Sequence, residues 1–66
     1  MQNIRISLAA ARVNARLTQD AVAKKMSVGK QTIVSWEKGK TQPSISQSRR
    51  LSELYKMPLE NIFFDD

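Results

Sequence analysis

The stretch Val28-Gly29-Lys30-Gln31-Thr32-Ile33-Val34-Ser35-Trp36-Glu37-Lys38-Gly39-Lys40 reads as a short helix with two chemically different faces. At about 100° per residue on an α-helix, Ile33 and Trp36 fall on one side and Lys30, Gln31, Val34 and Ser35 on the other. The first side is a core face. The second combines hydrogen-bonding tips with one apolar group, a mixture that suits base edges in a DNA major groove. The predicted helix runs from Lys30 to about Lys38, with Gly29 as its cap and Gly39 as a left-handed terminating glycine. Val28 and Ile33 have the spacing of a hydrophobic staple.

Upstream, Thr18 is placed to cap a helix that begins at Gln19 and ends near Lys25 or Met26. Asp20 suits the positive end of that helix, and Leu17 with Val22 repeats the staple spacing. Ser27 and Val28 break the pattern, so two helices of about eight residues follow one another across a tight turn. Such short helices need tertiary partners. One is supplied from about Ile4 to Asn14, where Ile4, Leu8 and Ala11 recur at i, i+4, i+7. Lys40-Thr41-Gln42-Pro43 reads as loop. Ser44 then caps a helix to about Tyr55 with Ile45, Leu51, Leu54 and Tyr55 apolar, a face thinned by Ser48. Pro58 is suited to the first position of a last short helix that turns Leu59, Ile62 and Phe63 inward.

A chain of 66 residues is expected to form one domain over residues 1–66, and a domain this small buries only about 60% of the surface its unfolded form exposes. There is no cysteine and no histidine, which removes disulfides, thiolate nucleophiles, the usual zinc ligands and imidazole catalysis. No metal, no cofactor and no enzyme activity are expected. No signal-like leader or apolar run of membrane-spanning length is seen, so the expected location is the cytoplasm, away from membranes. The net charge of +5 is unevenly spread. Residues 1–50 hold ten basic and two acidic side chains, whereas residues 51–66 hold one basic and four acidic. A positive body with an acidic tail points to a polyanionic partner for the first part.

At Leu17-Thr18-Gln19, Ala23, Ile33, Trp36-Glu37-Lys38-Gly39-Lys40, Pro43-Ser44 and Leu59-Glu60-Asn61-Ile62-Phe63, the sequence resembles the phage repressor and Cro family of helix-turn-helix proteins, also called XRE-type. The resemblance spans about residues 4–63. It implies an all-α bundle of five short helices, the lambda repressor-like fold, with the helix-turn-helix over about residues 18–38. By resemblance, Arg12 and Glu37 form a structural ion pair. Two departures are visible: the family usually has glycine where Ser27 stands, a position that tends to require positive φ, and it prefers apolar residues at Ser48-Arg49.

The site residues follow from the outer face and the family pattern together. Lys30, Gln31, Val34 and Ser35 are the base-reading candidates, with Gln31 suited to adenine and Val34 to a thymine methyl. Gln19, Thr32, Lys38, Lys40 and Thr41 are the phosphate candidates, Gln19 because it opens a helix whose amides favour anions. Arg16, Lys24, Arg49 and Arg50 add general charge. The expected function is sequence-specific recognition of double-stranded DNA by a transcriptional regulator, usually a repressor. It would act as a homodimer at least on DNA, on a two-fold operator with half-sites about 34–36 Å apart. The carboxyl end, with Phe64 as a possible anchor, is the expected dimer contact, and no small-molecule ligand is expected. The alternative from another class is a protein-interaction module on the same fold, such as an antitoxin or antirepressor.

Overall fold

The computed structural model describes residues 6–63, apart from the side chain of Phe63. In chain order it comprises β1 (Ile6–Ser7), α1 (Leu8–Asn14), α2 (Gln19–Met26), α3 (Lys30–Lys38), α4 (Ile45–Tyr55), a single 3-10 turn (Leu59–Asn61) and β2 (Ile62–Phe63). The fold is therefore mostly helical, with four α-helices among the described residues and not five.

Both ends depart from the expected bundle, each at an extended residue. Ser7 is extended (φ −65°, ψ 160°), and its Oγ accepts the amide of Ala10 at 3.0 Å, so α1 starts at Leu8. The part of the expected helix that preceded Leu8 is strand as far as it is described; Ile4 and Arg5 lie outside the described residues. At the other end Pro58 is extended (ψ 143°) and flanks the 3-10 turn in place of opening an α-helix. Three residues after Pro58 are too few to repay helix nucleation. The chain instead runs β2 parallel to β1, with Ile6 opposite Ile62 and Ser7 opposite Phe63. That pairing satisfies backbone groups that a frayed fifth helix would leave open.

The core takes two residues from each α-helix and one from β2. Leu8 and Ala11 come from α1, Val22 and Ala23 from α2, Ile33 and Trp36 from α3, Leu51 and Tyr55 from α4, and Ile62 from β2. Leu17 and Val28, the outer halves of the two staples, pack against this cluster. Ala23 is small where α2 and α3 pack together, which lets their backbones approach. Ile45 does not join its expected companions. It lies six residues before Leu51, about 240° around the helix, and is 76% exposed.

All four helices end alike. Arg16 (φ 61°), Ser27 (φ 58°), Gly39 (φ 77°) and Lys56 (φ 51°) are left-handed, and only one of them is glycine. In each case the next residue's amide returns to a carbonyl five residues earlier: Leu17 to Arg12, Val28 to Ala23, Lys40 to Ser35 and Met57 to Ser52, at 3.0–3.2 Å. These are Schellman terminators, in which the residue after the left-handed one customarily makes an apolar contact. Leu17, Val28 and Met57 do so, packing on the core. Lys40 is the exception and stays exposed.

Candidate nucleic-acid interface

The two faces of α3 separate in the structure. Ile33 and Trp36 are 1% and 4% exposed, which fixes the rotation of the helix about its axis. Lys30 and Gln31 are consequently exposed, while Thr32, Val34 and Ser35 are half-buried at the flanks of the outer face. Gly29 caps the helix with its backbone alone, without a side-chain hydrogen bond. At the far end Lys38 and, past Gly39, Lys40 and Thr41 are exposed.

The turn before α3 sets its presentation. Thr18 Oγ1 accepts the amide of Ala21 at 3.1 Å and starts α2. Ser27 ends α2 in left-handed geometry and sends Val28 back to the Ala23 carbonyl at 3.0 Å. A serine holds the conformation that glycine adopts without cost. From α4, Arg50 donates through Nη2 to the Lys25 carbonyl at 3.3 Å, so a residue expected to add only general charge also braces the carboxyl end of α2.

Beneath the interface lies a charged cluster. Arg12 Nε donates to Glu37 Oε2 at 2.7 Å, and Arg12 Nη2 lies 3.4 Å from Glu37 Oε1. Their side chains are only 16% and 8% exposed, so the pair is screened little by solvent. Arg12 Nη1 also donates to the Leu17 carbonyl at 2.9 Å, tying the α1–α2 turn to the same centre. Gln19, at the start of α2, joins it: its Nε2 donates to Glu37 Oε1 at 3.0 Å. Tyr55 closes the cluster from α4. Its phenol is pushed up to about 12, chiefly by burial and then by the Glu37 carboxylate, with Arg12 opposing. Tyr55 Oη is buried without a hydrogen-bond partner among the described residues.

The structure thus brings Arg12, Gln19 and Glu37 together, and it adds a residue that sequence reasoning used only as a helix-start signal. Asp20 Oδ2 lies 3.9 Å from Lys30 Nζ, both side chains being more than half exposed. No local spacing announces either this contact or the Gln19–Glu37 bond, because both join different helices. The expected dimer contact at Phe64 lies outside the described residues. Among the described residues no cluster of His, Cys, Asp and Glu could hold a metal ion, and no helix is long and apolar enough to cross a membrane.

Comparison with known proteins agrees with this architecture. The family model described as helix-turn-helix matches residues 8–62. An uncharacterised HTH-type transcriptional regulator of Methanocaldococcus jannaschii is 40% identical over 47 residues, covering 71% of each chain. Two uncharacterised HTH-type transcriptional regulators of Archaeoglobus fulgidus are 39% identical over 51 residues and 34% identical over 55. The first alignment covers 76% of this chain and 73% of the relative, the second 83% and 78%. No solved structure gives a significant match. With its two-faced α3, its capped α2 and a family match over most of its length, the chain belongs to the XRE-type, or Cro/C1-type, helix-turn-helix family.

Proposed function

We propose that this chain is a sequence-specific double-stranded DNA-binding transcriptional regulator, acting in the cytoplasm as a repressor and binding a two-fold operator as a homodimer. Residues 1–66 act as one DNA-binding domain. The observation that carries the proposal is the exposure of Lys30 and Gln31 at the amino end of a helix whose opposite face is locked into the core. Gln31 is assigned to a base edge, Lys30 to guanine or a nearby phosphate, Val34 to a thymine methyl and Ser35 to a further base edge. Gln19, Thr32, Lys38, Lys40 and Thr41 hold phosphates and set the register without reading sequence. The names of the archaeal relatives support the regulatory role.

One such module covers few base pairs, so tight binding calls for two copies on half-sites about one helical turn apart. We assign the contact between copies to the carboxyl end. Selection from random duplexes at moderate salt tests the whole proposal. It should enrich a motif with two-fold symmetry and half-sites spaced by about 10 base pairs. Recovery of no motif overturns DNA recognition, and recovery of a single half-site overturns the dimer.

A further inference from the structure

Gln19 stands among the phosphate contacts proposed above, yet half of its amide is already engaged inside the protein. Its Nε2 donates to Glu37 Oε1 at 3.0 Å, and the same carboxylate is anchored through Oε2 by Arg12 at 2.7 Å. A carboxylate only accepts, so it must face the amide nitrogen of Gln19 and not the carbonyl oxygen. This fixes which way the Gln19 amide is turned. One N–H is held by Glu37, and the second, lying in the same plane at about 120°, is directed away from the carboxylate.

We propose that Glu37 is a positioning residue for DNA-backbone binding: through its bond to Gln19 it holds the glutamine side chain in a single orientation that leaves its second N–H for phosphate. The inference rests on the proposed phosphate role of Gln19 and adds the cause of its alignment. Glu37 suits the task because it is itself immobile. It sits one residue before the end of α3, almost fully buried, and is gripped by Arg12, which in turn holds the Leu17 carbonyl at 2.9 Å. The bond from α3 to the first residue of α2 therefore links the reading helix to the phosphate-binding helix through side chains as well as through the turn at Ser27. A glutamine ordered before binding does not lose its rotamer freedom on the DNA, which for one side chain is worth about 2- to 10-fold in affinity.

A negative carboxylate near a phosphate site would by simple electrostatics weaken binding. Here the Arg12 guanidinium neutralises it at contact distance, so its orienting effect is kept without a net repulsive charge.

The test measures what Gln19→Ala does to affinity in two backgrounds. Glu37→Ala alone would strand the Arg12 charge and threaten the fold. The second background therefore replaces both partners by apolar residues of similar length, Arg12→Met with Glu37→Met, an exchange buried ion pairs often tolerate. Thermal melts of each variant establish that it is folded at the assay temperature. In the native background Gln19→Ala should lower affinity about 2- to 10-fold on cognate and unrelated duplexes alike. In the apolar background its effect should fall below about 2-fold.

Side-chain amide resonances supply a readout that a merely structural ion pair would not move. In the free protein the Gln19 NH2 group should be rigid with the ion pair present and mobile without it. Equal losses in the two backgrounds, or a Gln19 amide that is mobile in the native protein, overturn the positioning role. If Gln19→Ala costs nothing in the native background while DNA is still bound, the phosphate role of Gln19 falls and the inference with it. If the native protein binds no duplex at all, the failure lies in the proposed function itself.

Discussion

Replacing Ser27 by glycine should stabilise the protein without changing what it binds. Ser27 sits at φ 58°, ψ 42° at the end of α2, and its side chain is exposed. For an L-residue that conformation brings Cβ against the following carbonyl and costs about 1–2 kcal/mol. Glycine removes this cost but adds freedom to the unfolded chain worth roughly 0.5–1 kcal/mol. The difference leaves a net gain of about 0.5–1 kcal/mol. For a domain of this size that raises the melting temperature by about 3–6 °C. Circular dichroism melts of the wild type and Ser27→Gly read the shift, with Arg16→Gly and Lys56→Gly as companions because both residues share the left-handed geometry. DNA affinity should stay within 2-fold, since glycine adopts the same backbone and α3 keeps its angle. A melting temperature that is unchanged or lower in all three variants would refute the view that these helix ends store strain.

Four further outcomes can be checked together. Gln31→Ala should cost about 1–3 kcal/mol on the cognate operator and relax preference at one base pair, measured by titration against single-base variants; unaltered preference removes Gln31 from the base readers. Lys40→Ala should weaken binding to every duplex and lower the salt slope by about one, so a slope that does not move removes Lys40 from the phosphate contacts. Asp20→Asn frees Lys30 from a neighbouring carboxylate and should strengthen non-specific binding, most visibly at low salt where exposed charges are least screened; weaker binding would instead make Asp20 a direct contact. Tyr55 is the single tyrosine of the chain, so its ionisation can be followed by absorbance. Its folded value of about 12 lies above the unfolded value of about 10, so stability is intact below pH 10 and declines by roughly 2–3 kcal/mol in total as pH rises toward 12. Tyr55→Phe should lose that component of the alkaline decline, and identical pH profiles for the two proteins would exclude it.

The helix-turn-helix was legible because its signals are local. Thr18, Gly39 and the two staples lie within one or two turns of the ends they define, and α2 and α3 fall where these residues place them. The chain ends are not legible locally because their structure is decided by each other. Ile6 and Ile62 are 56 positions apart, and nothing in either segment records that they pair. At the amino end Ser7, a residue type suited to capping, starts α1 at Leu8, against the apolar periodicity that runs back through Ile4. Ser44, by contrast, caps α4 as expected, and its reciprocal bonds with Gln47 form a capping box announced by their spacing. At the interface, outward residues could be named from helical geometry, but the engagement of Gln19 by Glu37 could not, because it depends on how three helices meet.

The ending of α3 has a consequence for how this protein can change over generations. Lys40 is pinned by its own amide to Ser35, inside the helix it follows, and not by the segment that leads to α4. Its ammonium is thus delivered from a mount that is finished before the connection begins. Residues 41–43 and the start of α4 can drift in length and composition without moving the backbone that carries Lys40. Insertions in this connection should therefore be tolerated where insertions at Ser27, whose turn fixes the angle of α3 against α2, should not.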